Sequence, residues 1–498
     1  MNKKSNGMAG SEERFRTGIE GLDDILNGGL PRGCMYLVQG DPGSGKTTLA
    51  MQFLLEGMRR GESGFYITLS ETKQELEIVA RSHKWSLEGI PLIELSALEE
   101  MIRPEAQTTV FRPSEMDLRN LTQLLMDEAH KSKPVRVVFD SLSEFRLLAE
   151  TPLRYRRQLL NLKQEFARLG STVLLLDDKM DQAGVKADPH VLSLSHGVVE
   201  LEQSAPDYGI ARRRLRVLKL RGSTFREGWH DYTIRRGGMC VFPRLVAAEH
   251  HTEFRREPVP SGIAELDRLL GGGLDRGTTA LFMGPAGSGK TSLALHYAAK
   301  VANEGHKALV YTFDETLGLM LARARALGLD LDGHLKDGRL MAQQVDPAEL
   351  SPGEFAGRVR RGVEEGAKLV VIDSLNGYMN AMPGEQYLTN QLHELSSYLN
   401  QQGVLTIAIL AQHGLVSAEG APVDLSYLAD TVVLLRFFEA EGMVKKALAV
   451  IKKRSGGHEK SIREFRMEEG KGLLVGAPLK EFEGLLGAAP VYRGRAGG

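Results

Sequence analysis

Two stretches of this 498-residue chain combine glycine, lysine and a hydroxyl side chain in the order that grips a polyphosphate. One runs Gly40, Asp41, Pro42, Gly43, Ser44, Gly45, Lys46, Thr47, Thr48; the other runs Gly284, Pro285, Ala286, Gly287, Ser288, Gly289, Lys290, Thr291, Ser292. Both satisfy G-x-x-x-x-G-K-[ST], each after an apolar run of strand character and before a helical pattern, which is the context the motif requires. Glycines such as Gly43 and Gly45 let the backbone curl so that successive N–H groups face an anion, and the helix opening near the lysine adds its positive end. Lys46 and Lys290 would meet the β- and γ-phosphates, and the hydroxyls of Thr47 and Thr291 would hold Mg²⁺. The expected ligand of each loop is ATP with Mg²⁺. A dinucleotide fingerprint is excluded, because neither loop fits G-x-G-x-x-G.

Carboxylates and cations recur at matching distances from the two loops. Asp140 and Asp373 close the apolar runs RVVFD and LVVID, so each should emerge at the carboxyl end of a central strand beside the loop and hold Mg²⁺ or its water. A lone aspartate there would read as a turn cap; its occurrence at both copies favours the metal role. Glu71 and Glu315 follow FYITLS and LVYTFD, one helix and one strand after the loops, where a carboxylate can orient and deprotonate a water or hydroxyl attacking the γ-phosphate. Lys219 with Arg221, and Lys452 with Arg454, set a cation, a spacer and a cation, which a strand would turn to one face.

The elements that must position these residues are themselves duplicated. TGIEGLDDILNGGLPRG from Thr17 returns as SGIAELDRLLGGGLDRG from Ser261, and the loops and the glutamates keep that displacement of 244 positions. From Asp140 and Asp373 onward the displacement is 233, so the first copy carries about eleven additional residues before its aspartate. Such a period is far longer than that of a solenoid repeat, so each copy is expected to be a complete domain. The boundaries read as a flexible N-terminus over 1–16, a first domain over 17–248, a linker over 249–260, a second domain over 261–475 and a tail over 476–498. Short apolar runs alternating with helical patterns predict, in each copy, a mainly parallel sheet covered by helices, an α/β architecture.

Composition narrows the classes further. Hydrophobic residues at 42% and charged residues at 26% fit ordinary globular usage and set aside disorder and coiled coils. Sixty-three Lys and Arg against 64 Asp and Glu leave no global basic footprint for nucleic acid. Cys34 and Cys240 show no metal-type spacing and read as reduced thiols. No run approaches the roughly 18 apolar residues needed to cross a bilayer, so no membrane role is expected and the cytoplasm is the default address.

Taken together, the doubled unit, the GSGKT loops, LSET and FDET, FDSLS and IDSLN, and the closing KLRGS and KKRSGGHEKSIREF resemble the KaiC family of RecA-like ATPases, from Thr17 to about Phe465. The resemblance implies two tandem RecA-like P-loop NTPase domains and a two-tiered homohexameric ring with ATP between neighbouring subunits. In such a ring Lys219, Arg221, Lys452 and Arg454 would reach the neighbour's phosphates, comparably to an arginine finger. The family's second domain also phosphorylates itself on adjacent Ser and Thr; here Ser426 is kept, as a phosphoacceptor with Glu315 as base, and Tyr427 replaces the threonine. The family's pair of consecutive acids is Asp314-Glu315 in the second copy but Ser70-Glu71 in the first, so the first copy should turn over slowly if the missing acid is the base. A signalling or clock-type partner is implied for the family, and the short tail carries none of it over to this chain. Two other classes stay open: a DNA-dependent motor using Arg154, Arg156, Arg157, Arg212, Arg213, Arg214 and Arg216, disfavoured by the charge balance, and a nucleotide-switched signalling scaffold with little turnover.

Overall fold

The structure, a computed structural model, describes residues 14–94, 118–149, 151–179, 189–205, 209–346, 348–380, 388–412, 426–485 and 491–492. Its contacts separate two compact units, Met1–Asp207 with Ala211–Arg244, and Tyr208–Ile210 with Leu245–Gly498.

In the first unit the strand Met35–Gly40, reading MYLVQG, is buried along its whole length. A parallel strand covered on both faces needs such a run rather than an alternating one. Its parallel neighbours are Thr172–Asp178 and Gly197–Ser204. Beyond Thr172–Asp178 come Arg136–Asp140, Gly64–Thr68 and Leu92–Glu94, all parallel; beyond Gly197–Ser204 come Arg212–Leu220, His230–Arg235 and Gly238–Phe242, antiparallel. One face packs on the helix Lys46–Arg59 through Leu49, Phe53 and Leu54. The opposite face is covered by the helices Leu118–Ser132 and Pro152–Leu169, the latter burying Tyr155, Leu159, Leu162 and Phe166 at helical spacing. Thr151 caps that helix by accepting from the Arg154 N–H, and Gly170 ends it in the left-handed region. Each Leu or Phe sealed in this way contributes about 1.5–3 kcal/mol.

The second unit repeats the plan. The nine strands of its large sheet run Leu340–Gln344, Lys307–Thr312, Ala367–Asp373, Leu405–Ala411, Thr279–Gly284, Thr431–Ala440, Met443–Lys453, Arg463–Glu468 and Gly472–Pro478, the first six parallel and the rest antiparallel. Helix Lys290–Asn303 lies on one face; Pro352–Glu364 and Leu388–Gln401 lie on the other. Both units are thus RecA-like P-loop folds, and both phosphate loops leave the carboxyl end of a central strand.

The stretch expected as a linker lies on the second unit. Phe254 covers two glycines, and a methyl group added at Gly277 would come within 2.3 Å of its ring, one at Gly403 within 2.5 Å. Gln402 Nε2 donates to His250 O at 2.5 Å. The tail is structured at its start, where Gly472–Pro478 forms the outer strand and Phe482 meets Phe438 with ring centroids 5.2 Å apart. Residues 1–13, the greater part of the expected flexible N-terminus, lie outside the described residues. Among the described residues no helix is long and apolar enough to cross a membrane.

Candidate functional site

In the first loop Gly43 and Gly45 take φ of +80° and +94°, a region that glycine enters at little cost. Gly45 has a second reason to lack a side chain, because a Cβ there would lie 2.4 Å from Ile234 Cδ1 on the strand His230–Arg235. Tyr232 of the same strand donates its hydroxyl to Ser44 O at 2.6 Å. Packing from behind therefore shapes the loop as much as its own torsions do. The helix Lys46–Arg59 starts without a side-chain cap, leaving its first N–H groups and positive end to the loop. Lys46 is 9% exposed, and its Nζ donates to Gly40 O (2.8 Å) and Asp41 O (3.0 Å) and pairs with Asp178 Oδ1 (2.8 Å).

The second loop repeats this geometry with one difference. Gly287 and Gly289 have φ of +78° and +107°, and Phe465 Cε1 lies 2.7 Å from a Cβ built on Gly289. Lys290 Nζ donates to Gly284 O (2.8 Å) and Pro285 O (2.7 Å), and no described carboxylate pairs with it. Burial pushes its ammonium down to about 8, opposed by the charge of Asp373.

Each acid meets the hydroxyl of its loop. Thr291 Oγ1 donates to Asp373 Oδ2 at 2.6 Å, and Thr47 Oγ1 lies 3.4 Å from Asp140 Oδ2. Both aspartates stand at the carboxyl ends of their strands beside the loops, and one strand, Thr172–Asp178 or Leu405–Ala411, intervenes between each aspartate strand and its loop strand. Burial pushes both carboxyls up, Asp373 to about 6. In the first unit Tyr66, wholly buried, donates to Asp140 Oδ2 at 2.7 Å and holds that carboxyl down. Val310 stands at the matching place in the second unit.

The two glutamates sit alike and are partnered differently. Thr68 Oγ1 accepts from Glu71 N and donates to Glu71 O, and Thr312 does the same for Glu315. Glu71 Oε2 is buried with no hydrogen-bond partner among the described residues; burial raises its pKa, and the charges of Asp140 and Glu75 add to the effect. Glu315 Oε2 instead pairs with Arg323 at 2.5 Å. Ser70 is exposed, whereas Asp314 accepts from Ser374 Oγ at 2.5 Å.

The remaining candidates lie elsewhere. Lys219 pairs in register with Val198, and Lys452 with Val432, at the amino ends of the central strands. Arg221 donates to Ser193 O (3.1 Å) and Arg454 to Tyr427 O (3.2 Å). From Thr279 to Gly284 the central strand rises roughly 16 Å, so these cations do not reach their own loop. Ser426 opens a 3₁₀ turn, Ser426–Leu428, at that same far end, and its side chain lies outside the described residues. Within one chain Glu315 and Ser426 are not brought together. In the arginine cluster Arg216 pairs with Glu200 (2.6 Å), Arg214 pairs with Glu202 (2.8 Å), and both guanidinium groups lie on the Trp229 ring.

Three neighbours of the site escaped the motif reading: Tyr66, Asp178 and Arg323. Each sits on an ordinary-looking strand or helix, Asp178 at the end of its strand. Lining up the two copies could have exposed them, since Tyr66 faces Val310 and Asp178 faces Ala411 at the established displacements.

The loops fit a magnesium nucleotide on the structure's own terms. Each combines an uncapped helix start, a buried ammonium and a hydroxyl–carboxylate pair, and the wholly buried Ser44 Oγ and Ser288 Oγ have no described hydrogen-bond partner. Known proteins are similar to this chain in sequence. The family model described as "ATPase: KaiC" matches residues 15–246 and again residues 259–480. "Circadian clock protein KaiC3" of Synechocystis sp. is 27% identical over 488 residues, covering 96% of this chain and 95% of that protein. "Circadian clock oscillator protein KaiC" of Picosynechococcus sp. is 26% identical, covering 98% and 94%, and its namesake from Synechococcus elongatus is 27% identical, covering 96% and 92%.

Proposed function

The chain belongs to the KaiC family of ATPases, and from that premise we propose that both units bind ATP with Mg²⁺ and hydrolyse it. The observation that carries the reading is the doubled set of a buried loop lysine, a helix-start threonine and an aspartate across the sheet, Lys46–Thr47–Asp140 and Lys290–Thr291–Asp373. Thr47 with Asp140, and Thr291 with Asp373, would hold Mg²⁺, which supplies charge neutralisation at the β- and γ-phosphate oxygens. The loop N–H groups and the lysine orient the triphosphate. Glu71 or Glu315 takes a proton from the water whose oxygen bonds to the γ-phosphorus, while the bond from that phosphorus to the bridging oxygen breaks and ADP leaves. Glu71, its Oε2 desolvated and its pKa raised, suits this task without the second acid that Ser70 replaces.

The placement of the cations supports a ring. Lys219, Arg221, Lys452 and Arg454 stand at the end of each sheet opposite its own loop, where a neighbouring subunit's triphosphate would meet them in a homohexamer. By the same geometry Ser426, beside Arg454, would accept phosphate from a neighbour's site rather than from its own, giving a serine autokinase in trans. The pairing of Arg214 and Arg216 with Glu202 and Glu200 favours this ATPase over a DNA motor. Phosphate release from Mg·ATP by the full chain tests the proposal: a double Lys46→Ala, Lys290→Ala variant is expected to lose it. Turnover that survives in that variant would contradict it. Intact-mass spectrometry after incubation with Mg·ATP is expected to show added phosphate in the native chain and none in Ser426→Ala.

A further inference from the structure

Lys46 carries three N–H donors, and the structure commits all three: to Gly40 O, to Asp41 O and to Asp178 Oδ1. The two carbonyls belong to the loop backbone and cannot leave without unmaking it. Asp178 is the removable partner, a side chain 41% exposed against 10% for Lys46. Its position is built. Asp178 stands opposite Gly40 in the register of the two central strands, and its Oδ2 lies 3.1 Å from Ser143 Oγ. Its neighbour Asp177 is occupied separately, accepting from Arg146 at 2.6 Å, so the two adjacent acids divide their cations cleanly.

The second unit has the same loop and lacks this acid. Ala411 stands opposite Gly284 where Asp178 stands opposite Gly40. The residue matching Ser143 is Asn376, which closes on the Ala411 backbone at 3.0 and 2.7 Å instead of bracing a carboxylate. Lys290 keeps its two loop carbonyls and no described carboxylate.

We infer that Asp178 is a resident competitor for the phosphate-binding lysine of the first unit, a positioning residue that makes that unit the weaker nucleotide site of the two. The inference rests on the nucleotide reading of both loops. A phosphate arriving at Lys46 exchanges one anionic partner for another and remains in the field of the displaced carboxylate, whereas a phosphate arriving at Lys290 gains a new ion pair outright. A partly buried ion pair lies between the exposed and buried extremes, and removal of such a competitor is expected to tighten binding about tenfold.

The test is calorimetric titration of the full chain with Mg·ADP, which is not turned over. Lys290→Ala isolates the first site, and adding Asp178→Asn to it is expected to lower Kd about tenfold. In the reciprocal experiment Lys46→Ala isolates the second site, and adding Ala411→Asp is expected to raise its Kd by a similar factor. The transplant does not require the Asp178 variant to fold, and loss of support structure alone would not produce opposite shifts in the two units. Unchanged or weaker binding after Asp178→Asn would overturn the inference, as would an Ala411→Asp variant that binds as before. Absence of any Mg·ADP uptake by both single-lysine variants and by the native chain would overturn the nucleotide reading itself, a result distinct from an unmoved Kd.

Discussion

The two glycines of the second loop should fail differently when each is replaced by alanine. Both hold left-handed φ, +78° at Gly287 and +107° at Gly289, so either replacement meets backbone strain of roughly 1–2 kcal/mol. Space separates them. A Cβ at Gly287 finds Phe437 Cζ at 3.7 Å, an ordinary contact, whereas one at Gly289 lands 2.7 Å from Phe465 Cε1 and 3.0 Å from Met467 Sδ. Phe465 is 1% exposed within the core and cannot swing aside, so overpacking adds roughly 1–3 kcal/mol there. The expected destabilisation is thus roughly 1–2 kcal/mol for Gly287→Ala and roughly 2–5 kcal/mol for Gly289→Ala. Amide exchange followed by mass spectrometry through the strand Arg463–Glu468 reads the local opening free energy in the intact chain. Equal losses in the two variants, or a larger loss at Gly287, would refute the claim that the loop is shaped from behind by that strand.

Other consequences can be measured separately. His230 is buried between Arg226 O and the Arg244 N–H, and burial pushes its imidazole down to about 4. Between about pH 4 and the unfolded value near 6.5 the unfolded chain binds the extra proton, so this contribution is complete above pH 6.5 and lost as pH falls towards 4. The loss is roughly 3 kcal/mol; Trp85 and Trp229 fluorescence melts should show it and His230→Gln should flatten it, and identical profiles would contradict it. Asp373→Asn should abolish the magnesium dependence of nucleotide binding at the second loop, as read by titration with and without Mg²⁺ in a Lys46→Ala chain, and spare the first, as read in a Lys290→Ala chain. Arg454→Ala should slow second-unit turnover by roughly 10³-fold. Mixing Arg454→Ala chains with Lys290→Ala chains should restore part of it, because some interfaces then pair an intact loop with an intact cation; no recovery on mixing would argue against action across subunits.

What could be read in the sequence was what the chain keeps close together. The loops are contiguous, so glycine, lysine and threonine at fixed spacing sufficed, and the apolar runs ending in Asp140 and Asp373 marked strand ends that point towards them. The intervening strands Thr172–Asp178 and Leu405–Ala411 were beyond that reach, because sheet order is set by helix crossovers and not by chain order. For the same reason Lys219 and Lys452 could be placed on strands, while only the pairing with Val198 and Val432 shows which end of the sheet they occupy. Asp178 read as the polar end of a buried strand; its meaning depends on a contact with Lys46, 132 positions away in sequence and 2.8 Å away in space. Phe254 sits in a stretch whose prolines and charges suggest a free linker, and the bare surfaces of Gly277 and Gly403 give its ring a seat.

The most direct measurement is the number of nucleotides taken up by each chain. Calorimetric titration of the native protein with Mg·ADP is expected to end at two per chain, with Lys46→Ala and Lys290→Ala each removing one and the double variant binding none. A native chain that takes up none, or a double variant that still takes up two, would contradict the assignment of both loops as nucleotide sites.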